Sequence, residues 1–448
     1  MGANLGHFSY SVAGSLTMRI MMHYGKKGFP LDLPNEWAVT VIRKKPMPIL
    51  ANPVEALEEA FVNPVGSASL ATLARGRRSA CIVICDITRP VPNGLMLPSL
   101  IREVLAAGIG ARDVTVLVAT GLHRPNEGPE LLEVVGDPWV LETVDVVNHV
   151  ARNDDEHVYL GATRRGTAVR LDRRFVQADL KIVIGLIEPH FMAGYSGGRK
   201  VITPGVAHWQ TITAIHSARL LEHEQAANCV LEGNPLHEEL TEIAQMAGES
   251  LAINVVIDEM RRISYLNFGD LRLSHESAVA YMRPYAEVSV PEKFKTVITS
   301  AAGYPLDKNY YQTVKGMVAA MNILEPGGNL FILSECSEGI GSVDFIESQR
   351  RLCTHGMDGF MEGIEPKLYA EVDEWETEML LKPLRIGTVH LHSEGLCAAD
   401  KQLTGVCVVE SLEDAIRKSV EQARDTRLAV IPEGPYVIPI YSPRQRSR

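Results

Sequence analysis

The sequence predicts two α/β domains, each on a mostly parallel sheet, with an active-site cleft between them. Three observations carry this reading. A chain of 448 residues is too long for one ordinary core. Short apolar runs alternate with helical periodicity, which is the signature of α/β layering. Polar clusters follow directly on several apolar runs, where ligands gather in open α/β sheets.

In chain order, the runs at 81–86 (CIVICD), 114–119 (VTVLVA) and 181–187 (KIVIGLI) predict buried strands, being continuous, β-branched and bounded by turn residues. Residues 97–107 and 129–135 predict helices between them. A further strand is expected at 252–257 (AINVVI) and a helix at 271–285. A second block opens near Pro291, with a strand at 296–300, a helix at 311–324 and strands at 329–334 and 385–391. The Glu-rich segment 371–378 is expected to be a solvated helix face. The expected domains are 1–290 and 291–409, with the final helix and strand (residues 410–448) returning to complete the first.

Composition narrows the function classes. Charged residues make up 22% and hydrophobic ones 46%, the balance of a soluble globular protein. A net charge of -11 argues against a general nucleic-acid binder, since phosphate backbones are held mainly by excess Lys and Arg. No run of about 18 apolar residues predicts a membrane span, and no basic segment followed by an apolar stretch opens the chain. The expected location is therefore the cytoplasm, with the first 16 residues a loose extension. Seven cysteines lie scattered without a C-x-x-C pair, so neither a disulfide framework nor a thiolate zinc site is expected.

Four polar clusters fall at the ends of predicted strands: DITRP, TGLHRP, EPHFMAGYSGGRK and GYPLDKNYYQTVKG. In the first, Arg89 can grip a carboxylate or phosphate through two parallel hydrogen bonds, with Asp86 to orient it and Thr88 between them; a structural ion pair is the alternative. His123 and His190 occupy matched positions after their strands. Imidazoles titrate near neutral pH, so two of them can supply a base and an acid. Such a pair suits a reaction on both faces of one carbon, as in racemisation or epimerisation, and it also suits hydrolysis.

The glycine-rich loop departs from a nucleotide-phosphate loop, because Val201 follows Lys200 where a P-loop places Ser or Thr. Ser196, Gly197 and Gly198 let backbone approach a ligand, and Lys200 then either steers an anion or acts as a covalent nucleophile. His216, in a helix-like run over 209–221, is at most one ligand of a metal site; a protein-only site needs three or four. Gln312 and Lys315 share a helix face with Tyr311 beside them, either to meet the same anion as Arg89 or simply as a solvated helix start. His390 and His392 alternate on a strand and read as structural.

Taken together and in this order, DITRP, TGLHRP, EPHFMAGYSGGRK, His216 and YYQTVKG resemble the nickel-dependent lactate racemase family of 2-hydroxyacid racemases and epimerases. The resemblance implies a nickel pincer nucleotide, a pyridinium mononucleotide whose thio-substituents and ring carbon bind the metal. It assigns the covalent tether to Lys200 and the protein's nickel ligand to His216. Thr88, Ser196, Gly197 and Gly198 fall to the cofactor. His123 and His190 become the acid/base pair, while Arg89 and Lys315 hold the substrate carboxylate with Gln312, Tyr311 and Asp86 beside them. Trp375 is expected to line the pocket. The implied reaction removes and returns hydride at C2 through a 2-keto acid, which avoids building a carbanion beside a carboxylate. The implied partners are a small 2-hydroxy acid and, transiently, the proteins that make the cofactor.

Two rivals have their own signatures. A nicotinamide-dependent 2-hydroxyacid oxidoreductase needs G-x-G-x-x-G after a strand, and GIGARD at Gly108 lacks the third glycine and precedes its strand. A non-catalytic carrier of the nickel cofactor would keep Lys200 and His216 but has no use for His123, His190 and Arg89 together.

Overall fold

The computed structural model describes residues 17–443, so the extension expected over the first 16 lies outside the described residues. The chain divides into two compact units. The larger comprises residues 45–286 and 364–371, and the second comprises residues 17–44, 287–363 and 372–443.

In the larger unit the apolar runs are strands: β1 (Ala80–Cys85), β2 (Val114–Ala119), β3 (Asp145–Asn148), β4 (Leu180–Leu186), β5 (Leu251–Ile257) and β6 (Ile263–Asp270). They form one six-stranded sheet in the order β6-β5-β4-β1-β2-β3. All neighbours run parallel except β5 with β6. The sequence ACIVIC has no polar face for water, so β1 takes the centre, where both its faces are covered. Its Ile82 and Ile84 share a core cluster with Met96, Leu100 and Val104 of helix α1 (Asn93–Ala106) and with Phe268 of β6.

The direction of winding reverses at β1, which has β2 on one side and β4 on the other. The topological switch point therefore lies between β1 and β4, and loops leaving β4, β1 and β2 share one edge. Pairing of Cys85 with Ala119 and of Ile84 with Ile184 brings the chain after each strand to that edge at nearly the same height. Helices α2 (Trp209–Ile215) and α3 (Leu271–Ala286) belong to the same unit.

The second unit carries β7 (Phe294–Ser300), β8 (Leu324–Leu333), β9 (Thr388–His392), β10 (Cys407–Val408) and β11 (Arg427–Ile431). With the short strand Ala38–Val41 they make a second six-stranded, all-parallel sheet, ordered β10-β9-β8-β7-β11 and then Ala38–Val41. Helix α4 (Tyr310–Ala320) follows β7, and α5 (Glu374–Leu384) packs against it. Among the described residues no helix is long and apolar enough to cross a membrane.

Four sequence expectations are corrected. The last segment does not return to the first domain: α6 (Leu412–Ala423) and β11 complete the second unit. The apolar run RLAVI needs parallel neighbours on both sides, and it finds β7 on one and Ala38–Val41 on the other. The acidic segment is not solvated, because α5 buries Glu374, Glu376 and Glu378 along with Trp375, Met379 and Leu380. The helix expected over 311–324 stops at Ala320, and Leu324 already opens β8. The run 209–221 is broken, with α2 and a short turn Ala218–Leu221 separated at His216 and Ser217.

Candidate active site

Asp86 leaves β1 buried, and its carboxylate is shared between two residues. Oδ2 accepts from Nδ1 of His123 at 2.7 Å, and Oδ1 accepts from the Thr88 hydroxyl at 2.6 Å. Burial alone would raise its pKa. The hydrogen bond and charge of His123, the Thr88 hydroxyl and the nearby Arg89 outweigh that and hold Asp86 below the ordinary carboxylate range. His123 is 61% exposed on its side chain, so only its Nδ1 edge is anchored. A neutral His123 with Nδ1–H committed to Asp86 carries its lone pair on Nε2.

His190 is held the opposite way. It stands in a two-residue hairpin strand, Pro189–His190 against Gly194–Tyr195. Its Nδ1 accepts from the backbone N–H groups of Met192 and Ala193, both at 3.2 Å. When neutral, His190 therefore carries its proton on Nε2. The two histidines thus offer opposite Nε2 functions, acceptor on His123 and donor on His190.

The expected orienter of Arg89 is corrected. Asp86 is occupied by His123 and Thr88, and Arg89 NH1 donates instead to Glu188 Oε1 at 3.1 Å. Glu188 was not singled out in the sequence, although its place two residues before His190 and after β4 is where an acid facing Arg89 would stand.

The glycine-rich loop turns inward. Gly197 and Gly198 have φ of 74° and 49°, and a Cβ on Gly197 would lie 2.5 Å from Ile187 Cδ1 while one on Gly198 would lie 2.9 Å from the His275 ring. The glycines thus serve close packing of the loop onto the protein. Ser196 likewise turns in, its hydroxyl donating to the Leu186 carbonyl at 2.6 Å and accepting the Glu188 N–H at 3.0 Å.

Arg199 and Lys200 divide their roles. Arg199 is buried, with NH2 donating to the Ala193 carbonyl at 2.8 Å and NH1 at 2.8 Å from His275 Nε2. Burial pulls its pKa down to about 9. Lys200, one residue on, is half-buried at the start of the one-turn helix Arg199–Ile202, and its charge acts on His216.

His216 is buried at the end of α2, and its Nδ1–H donates to the Ile212 carbonyl at 2.8 Å. Burial first, and then the charge of Lys200, push its pKa down to about 4, against the Ile212 hydrogen bond. It is therefore a neutral imidazole whose lone pair is on Nε2, the form that binds a metal. Among the described residues no three or more His, Cys, Asp or Glu side chains gather as a metal site.

In the second unit, Asn309 caps α4 by accepting from the Gln312 N–H at 3.1 Å. Tyr311, Gln312 and Lys315 all lie half-exposed on this helix, and Lys315 Nζ donates to Gln312 Oε1. Trp375 is buried, and its Nε1–H donates to the Tyr311 hydroxyl at 3.2 Å. Glu376 lies beside this group, buried on α5, in a segment whose charge alone predicts a solvated face. The apolar Trp375, Met379 and Leu380 around it were the signal that this helix is buried. His390 stacks on Phe331 and bonds Asn329 at 2.9 Å, whereas His392 packs on Phe29 and Tyr24, so the two histidines form no pair.

Comparison with known proteins agrees over most of the chain. The lactate racemase N-terminal domain model matches residues 24–228 and the C-terminal domain model residues 291–439. The lactate racemase of Thermoanaerobacterium thermosaccharolyticum is 33% identical over 377 residues, spanning 82% of this chain and 85% of that protein. That of Lactiplantibacillus plantarum is 32% identical over 395 residues, spanning 86% and 90%. The solved lactate racemase apoprotein from T. thermosaccharolyticum superposes with a TM-score of 0.87 at 32% identity, covering 94% of this chain and 99% of that one. A Thermotoga maritima protein, 15% identical with a TM-score of 0.65 over 87% and 98% of the two chains, shares the fold. With both domain models matched and a third of residues shared across most of its length, the chain belongs to the lactate racemase family.

Proposed function

We propose that this protein interconverts the stereoisomers at C2 of a 2-hydroxy carboxylic acid, and lactate, the substrate named for its relatives, is the first to test. The observation that carries the reading is the opposite anchoring of the two histidines. With Asp86 on its Nδ1, His123 accepts the hydroxyl proton of one stereoisomer at Nε2. With backbone N–H groups on its Nδ1, His190 presents Nε2–H to the oxygen of the other as a hydrogen-bond donor, and it passes a proton to that oxygen from its imidazolium form, returning to the neutral ring. Microscopic reversibility makes the two exchange roles in the reverse direction.

The residues present fit a nickel pincer nucleotide. His216 is neutral, buried and in the tautomer that offers Nε2 to a metal, and Lys200 is near enough for its charge to act on that ring. With no protein-only metal cluster among the described residues, a metal at His216 would take its other ligands from the bound group. Lys200 would hold that group covalently, with Thr88 and the Ser196–Gly198 backbone beside it. The chemistry such a group supplies when bound is reversible hydride exchange at C2. Arg89 and Lys315 would hold the substrate carboxylate, with Glu188 orienting the first and Gln312 the second. Proteins that make the cofactor would be transient partners.

The test uses protein produced together with the cofactor pathway. Mass analysis of the Lys200 peptide is expected to show an added mass, and chiral chromatography to show each lactate enantiomer converting to the other. His123→Ala and His190→Ala should each abolish interconversion while keeping the added mass. An unmodified Lys200 in active protein would refute the tether, and loss of attachment in both histidine variants would refute the acid/base assignment.

A further inference from the structure

Glu376 is a buried titratable group that the reaction above does not use. It is 1% exposed in the first turn of α5, and its Oε1 is enclosed without a hydrogen-bond partner. Three charged or titratable side chains act together around it. Lys315 of α4 and Asp373 at the head of its own helix each act on it through their charge. Tyr311, from α4, is hydrogen-bonded to both Trp375 and Asp373. The other carboxylates of α5 are Glu374, paired with Arg351, and the buried Glu378.

A carboxylate enclosed in this way, with no donor on Oε1, is costly to charge. Burial, with the neighbouring Asp373, pushes the Glu376 carboxyl up to about 8 in spite of Lys315. At neutral pH the group is therefore an uncharged acid within the field of a lysine. An ionised Glu376 would be a permanent buried counter-ion competing with any incoming carboxylate for the same ammonium.

We propose that Glu376 is a positioning residue that, while it holds its proton, leaves the charge of Lys315 to the substrate carboxylate and, once it has lost that proton, takes that charge for itself. This rests on the reading of Lys315 as a carboxylate holder. It makes substrate affinity pH-dependent through a residue that touches neither C2 nor the transferred proton. By linkage, an anion that binds only with Glu376 protonated loses up to about tenfold in affinity for each pH unit above the transition.

The experiment measures KM and kcat of the loaded enzyme for lactate between about pH 6 and about pH 9.5, for wild type and Glu376→Gln. In the wild type, KM is expected to be flat below about 8 and to climb above it, with kcat changing less. Glu376→Gln, a fixed uncharged mimic, should keep the neutral-pH KM within about threefold and lose the alkaline climb. A wild-type KM that stays flat, or a variant that keeps the climb, overturns the inference while leaving the racemase reading intact. Carbon-13 NMR of glutamate-labelled apoprotein, with Glu376 assigned by the variant, reads the same proton without turnover. A Glu376 that titrates in the ordinary carboxylate range overturns the inference, whereas absence of interconversion at every pH counts against the activity.

Discussion

Asp86→Asn isolates the part played by the carboxylate behind His123. Asn keeps the size of Asp and can still accept from the Thr88 hydroxyl, so the β1 loop should fold as before. What it loses is the charge-assisted bond at 2.7 Å to His123 Nδ1. A hydrogen bond to a charged group contributes about 1.5–3 kcal/mol, and at about 1.4 kcal/mol per decade this is about 10- to 150-fold in rate if the bond matters fully in the transition state. The amide can also turn its NH2 towards His123 and move the ring proton to Nε2, which removes the acceptor and deepens the loss. The assay is interconversion of the lactate enantiomers in both directions, with a thermal melt as control for folding. kcat should fall by at least about tenfold in both directions, with KM little changed. A folded Asp86→Asn enzyme within about threefold of wild-type kcat would refute the claim that Asp86 sets the tautomer of His123.

Two further perturbations probe the scaffold. His149 is buried, 3.0 Å from His157 Nε2 through its own Nε2, and burial, with the charges of His157, Arg174 and His208, pushes its pKa from 6.5 to about 3. Between those values the unfolded chain binds a proton that the folded chain refuses, so this stability is full above pH 6.5 and is lost as pH falls towards about 3. At about pH 4.5 the loss is on the order of 2–3 kcal/mol, and urea melts of His149→Gln should show a correspondingly shallower decline between pH 7 and 4.5; an unchanged decline would exclude His149 as the source. Gly197→Ala places a Cβ 2.5 Å from Ile187 Cδ1 and 3.0 Å from the Leu186 carbonyl oxygen at a φ of 74°, and should cost about 2–4 kcal/mol in a denaturant melt. A variant within about 0.5 kcal/mol of wild type would mean the loop can shift to make room.

Much of the architecture was legible because it follows from local pattern. The runs at 81–86, 114–119 and 181–187 are continuous and β-branched, and their strands lie within a residue of the expected bounds. The rule that ligands gather at the carboxyl ends of parallel strands located the loops of His123 and His190. Register then brought Asp86 and His123 to one hydrogen bond. The sequence does not place the last segment, because RLAVI is equally apolar for either sheet; the choice is made by which edge, here that of β7, is left without a neighbour.

Pairing partners were not legible for a similar reason. Asp86 and Arg89 are three residues apart, and proximity along the chain suggests a pair, but the loops leaving parallel β1 and β4 share one edge and bring Glu188 to Arg89, while the nearer carboxylate is taken by His123. The same holds for Glu376. Its sequence neighbours are charged and suggested a solvated surface, whereas α4 packs over that face and makes its proton a matter of burial. Residue type and order along the chain were enough to set out the chemistry available here: two imidazoles, a lysine in a glycine-rich loop and a basic carboxylate grip. Which nitrogen of His123 faces outward, which acid Arg89 meets and which carboxyl stays neutral depend on groups that are distant in sequence and meet only when each unit folds, whereas His190 is anchored by its own hairpin two and three residues along.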